Sequence, residues 1–204
     1  MSAAREYGLG ENFEWPRPPA GGWTADDLDT LPNLPPHTEL IDGSLVFMSP
    51  QTDFHMAAVR LLEYALLTHV PEHLYVVREM TTRLSKLDRL EPDLMVVSQS
   101  ARTGPGQTSY APDDVLLVVE IVSAESIARD REAKPVKYAR AGIRHFWRVE
   151  ENDGLPVVYV YELDPATHLY SLSDIHHKRL KLEVPFPLDV DLTALNRPGP
   201  FRTS

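Results

Sequence analysis

The sequence predicts an α/β (α+β) domain in which a mixed central sheet is flanked by a few helices. Three observations predict it. Val115 to Val122 (VLLVVEIV) is almost wholly apolar, as expected of a central strand buried on both faces. Phe54 to Val70 carries apolar residues at 58, 59, 61, 62, 65, 66 and 70, which is helical spacing. The segments run in the order hairpin, helix, strands, helix, strands, without an internal repeat.

In chain order, residues 1–30 read as a flexible tail, because Pro16, Pro18, Pro19, Gly21 and Gly22 cluster there with little periodicity. Within it, Trp23 to Leu31 (WTADDLDTL) has the pattern of one short helix capped by Thr24. The domain proper is expected over 31–196, with 197–204 as a second tail. Three prolines hold Leu31 to Pro36 extended. ELIDGSLVFMS, from Glu39, reads as strand, turn, strand, with Asp42-Gly43 as the turn. Pro71 stops the helix that begins at Phe54. Tyr75 to Leu84 and Leu94 to Val97 are β-rich, and Gln99 to Asp113 is a loop. Ser126 to Ala141 is expected as one helix ending at Gly142. His145 to Val149, Val157 to Leu163, His168 to Leu172 and Leu180 to Val184 complete the strands.

Composition narrows the class. The chain has 204 residues, 43% of them hydrophobic and 25% charged, which suits one globular domain with a real core. No apolar run is long enough to cross a bilayer, and MSAAREYGLGENFEWP has no basic segment followed by an apolar one, so no membrane and no signal peptide are expected. There is no cysteine, which excludes disulfides, thiolate metal sites and cysteine nucleophiles and fits a cytoplasmic protein. The net charge of −10 argues against strong non-specific DNA binding, since phosphate affinity comes from Lys and Arg. It leaves room for a nuclease, in which clustered acids hold a cation that reverses the local charge.

Three acids and a lysine stand at positions that suggest chemistry. Glu120 lies inside the apolar run, where a carboxylate needs metal coordination or an open strand end to offset its desolvation. Asp93 follows Pro92 and opens DLMVV, so it sits at a strand end. If those two strands pair, both carboxylates face one point and offer the hard oxygens that Mg²⁺ prefers. Glu39 begins the hairpin, where an exposed strand-start residue is the plainer reading. Asp130, Lys134 and Tyr138 recur at i, i+4, i+8, one stripe of a helix. Lys134 is then either an exposed ion-pair partner or an ammonium over the acids that orients water and stabilises developing charge. Lys137, about 300° further round the helix, is a weaker alternative.

ELIDG at 39–43, EPDLMVV at 91–97, VVEIVSAES at 118–126 and DREAKPVKYARAGIRHFW at 130–147 resemble, in order and spacing, the Uma2-like restriction-endonuclease family of the PD-(D/E)XK nuclease superfamily. The resemblance runs from about residue 31 to about 196 and implies a restriction-endonuclease-like sheet flanked by helices. It implies that Asp93 is the superfamily Asp and Glu120 the acid of the (D/E)XK strand. The motif lysine, two residues on and on the same strand face, is replaced here by Val122; the family's remedy of a lysine on the next helix is matched by Lys134. Glu39 matches the N-terminal Glu. His55 matches a position often filled by His, against the plainer reading of a partly exposed helix-end histidine. Two departures stand out: Ala124 replaces the usual Pro, and Pro135 directly after Lys134 disfavours αR there, so that the helix either begins near 135 or kinks.

The expected function is phosphodiester hydrolysis, with DNA the substrate that the resemblance implies. Asp93, Glu120, Glu39 and the carbonyl of Ile121 would hold Mg²⁺ or Mn²⁺, and Asp93, Glu120, Lys134 and Glu39 would form the catalytic set. Superfamily nucleases often pair as homodimers to cut both strands. The alternatives are a catalytically inactive module on the same fold that binds nucleic acid or protein, and a metal-dependent hydrolase of a small phosphorylated molecule.

Overall fold

The computed structural model describes residues 16–196. Its strands are β1 (Glu39–Ile41), β2 (Ser44–Val46), β3 (Leu74–Arg78), β4 (Thr81–Ser85), β5 (Asp88–Leu90), β6 (Leu94–Ser98), β7 (Ser109–Tyr110), β8 (Val115–Ile121), β9 (His145–Asn152), β10 (Leu155–Asp164), β11 (Leu169–His176), β12 (Arg179–Leu182) and β13 (Leu188–Asp191). Its helices are α1 (Asp53–His69) and α2 (Lys134–Arg140). A six-stranded mixed sheet, in the order β11-β10-β9-β8-β6-β3, forms the centre, and β8 runs parallel to β9 but antiparallel to β6. A second mixed sheet, β2-β1-β5-β4-β7, and the pair β12-β13 complete the fold.

Alternation along the central strands divides the core in two. Leu94, Val96, Leu117, Val119, Ile121, Trp147 and Val149 face α1 and the C-terminal strands. Met95, Val97, Val118 and Phe146 point the other way, against Tyr138 of α2 and Leu90 and Tyr110 of the second sheet. Helix α1 buries Ala58, Val59, Leu61, Leu62, Ala65 and Leu66, the stripe its spacing predicts, and the Thr52 side chain caps it by accepting from His55 N–H.

Several elements differ from expectation. The β-rich run Tyr75 to Leu84 is two strands in different sheets, because Glu79 adopts φ +49° and turns the chain out of the central sheet. Of the helix expected over Trp23 to Leu31 only one 3₁₀ turn forms, at Asp27–Asp29, and Thr24 does not cap it but donates its N–H and O–H to Asp27 Oδ2, each at 2.7 Å. One turn leaves Asp26 and Asp29 pointing at Arg83, with Asp29 also 2.8 Å from the buried Arg89. The later part of the expected tail is therefore docked: Trp23 N–H donates to Gly43 O at 2.8 Å, and Ala25 is buried. Gly22 (φ +80°) and Gly43 (φ +74°) cross so closely that a Cβ on Gly22 would lie 2.9 Å from Gly43 O. The remainder of that expected tail, 1–15, and the C-terminal 197–204 lie outside the described residues.

The helix expected from Ser126 to Ala141 runs without a break from 127 to 140, but with one wider turn ahead of Pro135. Arg129–Ala133 form one π-helical turn, closed by Lys134 N–H donating to Arg129 O, and α2 follows with Pro135 in its first turn. Pro135 has no N–H for the helical ladder and its ring crowds the preceding turn. The wider turn accommodates the ring and leaves Lys134 in the αR region.

Candidate active site

Strands β6 and β8 bring Asp93 and Glu120 together. Leu94 pairs with Val119, so Asp93 and Glu120 stand opposite one another, one step beyond. Both share the parity of Met95 and Val118 and face the α2 side of the sheet. A cavity of about 140 Å³ opens at this sheet end, bordered by Asp93, Glu120, Ile121 and Lys134, and by His55 at the start of α1.

Glu120 is 2% exposed, so an open strand end is not what offsets its desolvation. The offset comes from two protein donors. Lys134 Nζ lies 3.0 Å from Glu120 Oε2, and Tyr138 O–H donates to Oε1 at 2.6 Å. The stripe of Asp130, Lys134 and Tyr138 turns inward as a unit, and all three are buried. The ammonium of Lys134 is also 3.1 Å from Glu39 Oε1 and 3.4 Å from Asp130 Oδ1, which sets three carboxylates around one cation. Lys134 is thus no surface ion-pair partner. Lys137 points elsewhere, pairing with Asp42 and Asp88 at 2.6 and 2.7 Å.

The charges respond to this packing. Burial pushes the Glu120 carboxyl well above its ordinary range, and the nearby Lys134 ammonium opposes that shift without cancelling it. Burial would lower Lys134, but Glu120, Glu39, Asp130 and Asp93 outweigh it and hold its ammonium well above the usual lysine value. Tyr138 is raised by burial and by Glu120, so its phenol stays a neutral donor.

Asp93 is held from two sides. Ile121 N–H donates to Asp93 Oδ2 at 2.6 Å, and His55 Nε2 lies 2.9 Å from Oδ1. His55 is 3% exposed, so it is a buried partner of Asp93 and not a partly exposed helix end. Glu39 is wholly buried, unlike an exposed strand start, and does not border the cavity. Its Oε1 accepts from Glu91 N–H at 2.9 Å and faces Lys134, while its Oε2 has no hydrogen-bond partner among the described residues. Glu39 therefore stands behind the lysine, away from the cavity where a metal ligand would be.

The residues suit a divalent cation in kind and in charge. The donors are hard oxygens, and each engaged carboxylate oxygen keeps a further lone pair. Three carboxylates around one ammonium leave negative charge in surplus, and Glu39 keeps an unpaired oxygen. Among the described residues no three His, Cys, Asp or Glu side chains converge to enclose a metal. The fit is to an open, water-rich site such as Mg²⁺ adopts with one or two carboxylates.

The sequence profile of the Uma2 family, described as "Putative restriction endonuclease", matches residues 25–195. The chain belongs to the Uma2 family. Among curated proteins none matches it. Among solved structures it is similar to a protein of Anabaena variabilis ATCC 29413, described as a putative nuclease belonging to DUF820. The two share 16% identity over 84% of this chain and 96% of that one, with a TM-score of 0.59, a likeness of fold. In this Uma2 chain the spacing of 14 residues between Glu120 and Lys134 carries the helix lysine back to the strand acid. His55, Asp130 and Tyr138 are parts of the site that sequence reasoning left without a role. The signal for the last two was the i, i+4, i+8 stripe itself.

Proposed function

We propose that this Uma2 chain is a metal-dependent endonuclease that hydrolyses phosphodiester bonds of DNA at the Asp93–Glu120 cavity. One observation carries the reading: two acids on paired strands face one cavity, with a buried lysine fixed against one of them. A Mg²⁺ or Mn²⁺ ion held by Asp93, Glu120 and the Ile121 carbonyl would polarise the phosphate and lower the pKa of a bound water.

The chain's own residues do the rest. Asp93 is oriented before any ligand arrives, by Ile121 N–H and His55. Lys134 fixes the Glu120 carboxylate and sets positive charge at the cavity wall, where negative charge grows as the water oxygen bonds to phosphorus and the ester oxygen leaves. Tyr138 and Glu39 position that pair from behind. Glu39 thus moves from ligand to positioning residue. Among the described residues no helix is long and apolar enough to cross a membrane. A cytoplasmic setting suits a chain without cysteine. Cutting both strands of a duplex would take two copies.

The test is plasmid cleavage with Mg²⁺ or Mn²⁺ by wild type, Asp93→Asn and Glu120→Gln, with calorimetric titration of the metal into each. Cleavage by metal-loaded wild type alone, with binding weakened in Asp93→Asn, supports the reading. Equal cleavage by all three overturns it. A binding module on the same fold is the second reading. It is favoured by the two protein donors that already satisfy both Glu120 oxygens, and wild type that binds DNA without binding metal would establish it.

A further inference from the structure

The cavity wall holds a second cation beside Lys134. Arg129 borders the cavity beside Lys134 and His55. Lys134 is committed to three carboxylates and His55 to Asp93. The guanidinium of Arg129 forms no hydrogen bond or ion pair among the described residues, and its Nε is buried without a partner. An arginine carries five N–H donors in a fork matched to carboxylate or phosphate oxygens. Leaving a buried one unused is unfavourable unless a ligand takes it up.

Arg129 is also the first residue of the π-helical turn that Pro135 enforces. The turn sets it on the rim between two spaces. Outside the cavity lies a groove of about 520 Å³ along the outer face of α2, and Arg129 lines both. The groove brings Arg129, Lys137 and Arg140 together against Asp42 and Glu132. With Asp88, which pairs with Lys137, the charges there balance, on a chain whose net charge is −10. Lys137 is already paired with Asp42 and Asp88, so Arg129 and Arg140 carry what the groove has left to offer an anion. Cations arranged in a line from a cavity lined by carboxylates suit a polyanion that enters the cavity at one phosphate and continues along the groove.

We propose that Arg129 binds the DNA phosphate next to the reacting one and directs that strand from the cavity into the groove toward Arg140. This rests on the nuclease reading for its substrate class but not on catalysis. The groove contacts backbone, so Arg129 contributes affinity without sequence preference.

Fluorescence anisotropy of a labelled 16-base-pair duplex tests it, with Ca²⁺ in place of Mg²⁺ and across a salt series. The proteins compared are full-length wild type, Arg129→Ala, Arg129→Lys and, as a control from the distant β12 ribbon, Arg179→Ala. Arg129→Ala should bind about tenfold more weakly, and its log–log salt slope should fall by about one. Arg129→Lys, which keeps the charge but loses the fork, should fall between, and Arg179→Ala should match wild type. Thermal melting shows whether each variant is folded. Arg129→Ala that binds as tightly as wild type, with the same slope, overturns the proposal. So does a wild type that binds no duplex. Binding that depends on Arg129, in a protein that never cleaves with Mg²⁺ or Mn²⁺, would uphold Arg129 and defeat the nuclease reading instead.

Discussion

Lys134 Nζ and Glu120 Oε2 meet at 3.0 Å inside the protein, the lysine 1% exposed and the acid 2%. Glu39 and Asp130 bring two more carboxylates to the same ammonium. Such an arrangement is a poor source of net stability, since desolvation consumes most of the attraction, but breaking it is costly. Lys134→Ala would leave three buried carboxylates facing one another. It should lose about 3–5 kcal/mol of stability, and added Mg²⁺ should recover part of that. Urea denaturation at pH 7, with chelator and with metal, measures both. The same change at Lys137, which leaves Asp42 on the surface but also strips the largely buried Asp88 of its partner, should cost less than at Lys134, about 1–3 kcal/mol. Equal losses at the two lysines would mean that the buried cluster is not what holds Lys134.

Glu120 gives the pH prediction. Burial, the largest cause, raises its native pKa above the ordinary 4.5. The native state then keeps a proton that the unfolded chain releases, so stability falls as pH rises from about 4.5 toward the native value and is level above it. Lys134, held above 10.5, does not titrate in this range. Glu120→Gln removes the effect while its side-chain amide can still meet Lys134 and Tyr138. In chelator its stability should gain on wild type as pH rises above about 4.5, by on the order of 1 kcal/mol per pH unit until the native carboxyl ionises. Because the carboxyl must ionise to accept a cation, the Mg²⁺ affinity of wild type should rise over the same window. Urea melts at pH 5, 6.5 and 8 decide; a constant gap between the two proteins would exclude a raised Glu120.

Glu39 separates a ligand from a positioning residue. It faces Lys134 from behind and does not border the cavity. Glu39→Gln should therefore leave the Mg²⁺ affinity within about threefold of wild type while lowering kcat more than it changes KM, because the lysine loses one of its anchors. Asp93→Asn, which alters a carboxylate on the cavity itself, should weaken Mg²⁺ at least about tenfold. Calorimetry on the two variants reads the difference directly. Equal loss of metal binding in both would return Glu39 to the ligand set.

Much of this was legible in the sequence where chemistry and periodicity agreed. The apolar run around Glu120 had to be a buried strand, and Pro92 had to put Asp93 at a strand end; pairing of β6 with β8 did the rest. The stripe of Asp130, Lys134 and Tyr138 was visible as spacing, but the side of the helix that faces inward depends on packing that spacing does not contain. Which lysine faces the acids was open for the same reason, and the π-helical turn at Pro135 settled it for Lys134. Short strands such as β5 and β7 carry too few residues for a period to appear. The docking of residues 23–31 depends on Arg89, a buried cation whose partners lie about sixty residues away. No local pattern marks such a contact.

Arg89 supplies the last prediction. It is 3% exposed in β5, where its guanidinium donates to Ala25 O at 3.1 Å and to Asp29 Oδ1 at 2.8 Å, and its Nε to Thr81 Oγ1 at 2.8 Å. These bonds tie the segment before β1 to the second sheet, and that sheet carries Glu39. Asp29 is about a third exposed, so removing the arginine leaves that acid able to hydrate and the loss is smaller than for a sealed pair. Arg89→Ala should cost about 2–3 kcal/mol through lost charge-assisted hydrogen bonds. It should also free residues 23–31, and a protease should cut there before the rest of the domain unfolds. Limited proteolysis with mass mapping, set beside a urea melt, checks both parts. A variant that loses stability but resists cutting in that segment would show that Arg89 supports the sheet and not the docked segment.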